Sequence, residues 1–84
     1  MITEVFVHAI PLWLLREYLE ELGGQALSDT EVVGEGWRGE LAKLPERRLG
    51  SLRIGLVQLT LHGEETALAA LKPRLDRKTM RAGA

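Results

Sequence analysis

The sequence predicts an α+β domain in two layers, β-α-β(4)-α, with an antiparallel sheet and two helices on one face of it. Three observations lead there. Leu12–Leu22 and Glu64–Leu75 repeat leucine at helical spacing, so each carries one apolar stripe. Val57–His62 alternates apolar and polar residues, the pattern of a strand with one buried face. Short β-rich runs punctuated by glycine occupy much of the rest. Elements with one apolar side are closed most economically by laying the helices on a single sheet.

Ile2–Ala9, with Val5, Phe6 and Val7 at its centre, reads as the first strand. Pro11 opens the first helix, where its missing N–H costs nothing. Gly23–Gly24 ends that helix after Leu22, since glycine readily takes the left-handed conformation of a helix terminus. At about 100° per residue, Leu12, Leu14, Leu15, Tyr18, Leu19 and Leu22 share one broad arc. Arg16, Glu17 and Glu20 lie on the other, and Trp13 falls among them rather than with the leucines. Such a tryptophan either folds over its own helix turn as a structural residue or stands at an interface or ligand lip.

Gln25–Asp29 reads as a loop. Thr30–Gly34 and Trp37–Leu44 read as two strands joined by a tight turn at Glu35–Gly36, or as one bulged strand, because the glycines weaken both. Leu44–Arg48 is a polar turn. Leu52, Ile54 and Leu56 share one parity and Val57, Leu59 and Leu61 the other, so the phase flips between residues 56 and 57. Gly55 therefore marks a tight turn or a bulge, or two strands meet there. Glu64 and Glu65 suit the first turn of the last helix, whose stripe is Leu68, Leu71 and Leu75 with Ala67. Pro73 predicts an end or kink near Lys72. The expected division is a single domain over residues 1–76 and a frayed basic tail over 77–84.

Composition narrows the function. Eighty-four residues, 45% hydrophobic and 27% charged, allow one globular domain with a modest core. There is no cysteine, so disulfides and thiolate chemistry are excluded. No apolar run approaches the roughly 20 residues needed to cross a membrane, and Met1–Ile10 does not read as a signal peptide, so a soluble cytoplasmic protein is expected. The absence of asparagine and the many charges resemble a thermophile's composition. The formal net charge of −1 hides an acidic first half, residues 1–44, and a basic second half. That asymmetry can steer an acidic partner, or it is simply solvated surface.

No catalytic constellation is legible. Ser28 and Ser51 lie in no nucleophile-elbow pattern, and the glycine pairs form no phosphate-binding fingerprint. His8 and His62 each end a strand, and would share an edge only if the first and last strands ran parallel. No catalytic residue, metal site or cofactor is therefore assigned. Arg38, Arg47, Arg48 and Arg53 are the candidate anion-binding residues, and Trp13, Arg16, Glu17 and Glu20 the candidate interface. A pI near 6.1 and few aromatics argue against nucleic-acid binding.

Ile10–Gly24, reading IPLWLLREYLEELGG, and Leu49–Glu65, reading LGSLRI and then LTLHGEE, resemble the C-terminal domain of MoaD-related proteins, a small domain of unknown function. Trp37–Arg48 matches it poorly. The resemblance implies a TATA-binding-protein-like fold and a loose link to molybdopterin and sulfur-carrier pathways. In those proteins the domain follows a ubiquitin-like sulfur-carrier domain, and this sequence is expected to be the domain without that carrier. Carriers of that type end in Gly-Gly, whereas this sequence ends Arg81-Ala82-Gly83-Ala84, so a sulfur-donor role is not expected.

Two functional readings follow. One is a non-enzymatic interaction or accessory domain with a protein partner or a second copy, a homodimer. The other is a small-molecule or anion-binding domain that uses an apolar helix–sheet cavity or the arginines. An enzyme is not expected.

Overall fold

The structure, a computed structural model, describes residues 1–83, and side chains other than those of Arg47, Leu49, Ile54 and residues 81–83. The elements are β1 (Ile2–His8), α1 (Leu12–Glu21), β2 (Gln25–Ser28), β3 (Glu31–Gly34), β4 (Trp37–Lys43), β5 (Arg47–Leu49), β6 (Leu52–Ile54), β7 (Val57–Gly63) and α2 (Glu65–Gly83). Five strands form one antiparallel sheet in the order β1-β7-β4-β3-β2. That is the predicted β-α-β(4)-α layout. A two-stranded hairpin, β5–β6, is inserted between β4 and β7.

Two strand assignments are corrected. Gln25–Ser28, read as a loop, is the edge strand β2 and pairs with β3. The segment around Leu52 and Ile54 leaves the main sheet and pairs with Arg47–Leu49, part of which was read as a turn. The parity flip at Val57 is thus the meeting of two strands in different sheets. Thr30–Leu44 holds two strands, with Gly36 at φ 80° in the turn between them.

Helix α1 ends as its glycines dictate. Gly24 N–H donates to the Leu19 carbonyl (3.0 Å) and Gly23 N–H to that of Glu20 (3.1 Å), with Gly23 at φ 101°. This is a Schellman closure, which needs a residue free of Cβ strain at Gly23. Helix α2 does not end near Lys72; it runs on through Pro73 to Gly83. Pro73 is exposed, as is Ala69, whose carbonyl loses its helical donor. Water can hydrate that carbonyl on the solvent side, so the helix tolerates the proline.

The leucine stripes of both helices meet one sheet face. Leu15, Leu19, Leu68, Leu59, Leu61 and Val32 are fully buried. Trp37 is buried at the start of β4, and glycines make its slot. A Cβ on Gly34 would overlap the indole, and one on Gly24 would lie 2.8 Å from it. Gly34, which weakens β3 locally, and Gly24, which closes α1, are what admit the ring.

The tail reaches back through Lys78, whose Nζ lies 2.7 Å from Glu21 and 5.7 Å from the Tyr18 ring centroid. Met80 is exposed. Both contacts are surface interactions, so ending the chain at Asp76 should cost only about 1–2 kcal/mol. Thermal melting of the truncated chain checks this. Failure to fold would show that residues 77–84 belong to the folded unit.

Candidate functional site

Trp13 projects from the first turn of α1 and is 57% exposed. It borders an open groove of about 550 Å³ lined by Pro11, Leu12, Arg16, Asp29, Thr30 and Lys43. Arg16 is held across this groove. Its Nη1 donates to the Asp29 carbonyl (3.2 Å) and approaches the Asp29 carboxylate (3.4 Å), while Nε lies 3.8 Å from Glu20. Glu17 and Glu20 are exposed on the same helix. The four residues singled out in the sequence therefore stand on one solvent-facing side of α1. Asp29, which the sequence did not mark, fixes the guanidinium.

The candidate anion-binding arginines divide. Arg38 points from the open face of β4 and is bound by two carboxylates, Glu31 at 2.9 Å from Nε and Glu40 at 2.5 Å from Nη2. Arg48 and Arg53 are directly opposite in the β5–β6 hairpin and exposed. The Arg47 side chain lies outside the described residues. Like charges facing across a strand pair repel, and a shared anion would relieve that. Beside the hairpin an apolar groove of about 390 Å³ is lined by Ile10, Leu12, Leu44, Leu56 and Val57, among others.

The sheet face away from the helices carries a polar row that sequence reading missed. Register sets Thr3, His62 and Arg38 side by side, with Glu40 and Glu31 in the next row. Thr3 Oγ1 and His62 Nδ1 share a hydrogen bond (3.0 Å), and His62 Nε2 lies 3.7 Å from Glu40. The Arg38 hydrogen bond holds the Glu40 carboxyl below its ordinary pKa. Outward parity of Arg38, Glu40 and His62 was the available signal; their register was not.

The histidines do not share an edge. β1 and β7 are antiparallel, which puts His8 opposite Val57 and His62 opposite Thr3, at opposite ends. Among the described residues no group of three or more histidines and carboxylates converges as metal ligands would. His8 is half-buried, stacks on Phe6, and its Nε2 has no hydrogen-bond partner. Burial lowers its proton affinity below the ordinary 6.5, and Asp76 offsets this only in part. The unfolded chain therefore takes up this proton first as pH falls. Stability should drop as pH is lowered through about 6.5 and level off below the depressed folded value. Melting curves between about pH 7.5 and pH 5 should show this slope, and His8→Phe should flatten it.

The fold and these surfaces define a small α+β domain whose distinctive features are exposed faces. The chain belongs to the archaeal MoaD-like protein family, whose family model matches residues 3–84. That membership relates it to small sulfur-carrier and molybdopterin-associated proteins, which act with partner proteins. No curated protein matches the chain. No helix among the described residues is long and apolar enough to cross a membrane.

Proposed function

We propose that the chain is a non-enzymatic interaction or accessory domain of molybdopterin or sulfur-carrier machinery, and that Trp13 anchors its protein partner. The exposed indole carries this reading. It stands at a groove rim, beside an arginine already held by Asp29 and Glu20. A tryptophan presents much contact area with few rotors, and a fixed arginine loses little freedom on binding. Family membership supports a partner-dependent role.

The facing Arg48 and Arg53 favour a second reading, an anion-binding hairpin. Native mass spectrometry of protein purified from its own host separates the two. The first reading expects a co-purifying protein that Trp13→Ala releases, with stability changed by less than about 1 kcal/mol as for exposed positions. A bound small anion without any protein would support the second instead. A loss of about 3 kcal/mol or more in Trp13→Ala would make the residue structural.

A further inference from the structure

The main sheet has two edges, and they are built differently. β2 is blunted, being four residues long with a register shift between Ala26 and Ser28. Short edges and bulges are how sheets avoid pairing with other chains. β1 has neither device. It runs for seven residues, ITEVFVH, without proline, glycine, lysine or a bulge, and pairs with β7 on one side alone. Its outward-facing residues are Thr3, Val5 and Val7, with Val5 57% and Val7 53% exposed. Its acidic residue, Glu4, faces the helix layer and is neutralised there by Lys72, whose Nζ lies 2.9 Å from one carboxylate oxygen and 3.0 Å from the other.

We propose that β1 pairs antiparallel with β1 of a second copy of this chain about a two-fold axis at Val5, joining the two sheets into one. The sequence of β1 is self-complementary in that register. Val5 faces the second copy's Val5, Thr3 faces its Val7, and Glu4 faces its Phe6. β-branched residues thus oppose one another on the open face and no like charges meet. The helix layer agrees. Along the side of α2 next to β1 the charges run from Lys72, bound to Glu4, to Asp76, near His8. Two-fold reversal sets Lys72 of each copy towards Asp76 of the other. A two-fold interface must be self-complementary in this way. The proposal is independent of the Trp13 reading, because α1 packs over β2, β3 and β4 rather than over β1.

The test is mass against concentration. Sedimentation equilibrium of the full chain should show mass rising from 9.3 kDa towards twice that value across a dilution series. Val5→Lys and Val5→Glu should each stay monomeric, since each puts like charges face to face at the axis. An equimolar mixture of the two should recover the dimer as a mixed pair in native mass spectrometry. Amide exchange supplies a readout on the unsubstituted chain, with β1 amides slowing as concentration rises. A chain that is monomeric at every attainable concentration would overturn the proposal. So would a dimer that survives both Val5 substitutions, or a mixture that fails to pair. A dimer lost in Trp13→Ala but kept in the Val5 variants would move the interface to α1.

Discussion

Gly63→Ala should destabilise the domain by about 3 kcal/mol or more, at the upper end of what overpacking costs. Gly63 is buried where β7 meets β4, opposite Trp37, and α2 begins just after it. An added Cβ would overlap the Gly36 carbonyl oxygen and come within 2.9 Å of the Trp37 Cα. Both are backbone atoms, so no rotamer change relieves the contact. The Glu64 N–H also donates to that same Gly36 carbonyl at 3.0 Å, and moving the oxygen away weakens the entry to α2. Urea denaturation of the purified variant checks this. A midpoint close to that of the unsubstituted chain would show that the β3–β4 turn can shift freely.

Leu15→Ala should cost about 2–5 kcal/mol, the range for a leucine removed from a packed core. Leu15 is fully buried on α1 and belongs to one cluster with Leu19, Leu59, Leu61 and Leu68. Domains are typically stable by about 5–15 kcal/mol, and one of this size sits low in that range, so a large share of the total is lost. Leu14→Ala, one position along and only partly buried, should cost less. Equal effects at the two positions would mean that the helix face has been wrongly assigned.

How far the fold can be read from the chain depends on the range of the interactions involved. Leu15, Leu19 and Leu22 and the alternation of Val57, Leu59 and Leu61 are local periodic signals, and they place both helices and β7. The Gly23–Gly24 stop is equally local. Gln25–Ser28 was missed because β2 is made by backbone pairing to β3, while its side chains stay mostly exposed. Pro73 misled because its cost, a lost hydrogen bond and a crowded Ala69 carbonyl, falls on an exposed side, where water can hydrate that carbonyl. Of the candidate site, the placement of Trp13 opposite the leucines was legible from helical angle. The Asp29 clamp on Arg16 and the polar network of Thr3, His62, Arg38, Glu40 and Glu31 were not. Both depend on where distant segments come to rest, and in the sheet a one-residue slip would turn those side chains to the other face.

The hairpin has a consequence of another kind. Lys43 still pairs with Val57, and the Leu44 N–H donates to the Leu56 carbonyl at 2.9 Å. The β4–β7 ladder is therefore complete before the chain departs into residues 45–55. With the two ends already held together, a change of length there costs little; doubling a flexible loop adds only about 0.6 kcal/mol. The segment that displays Arg48 and Arg53 can vary in length and charge while the sheet beneath it keeps its register. The residues that this loop exposes and the residues that fold the sheet are thus open to separate selective pressures.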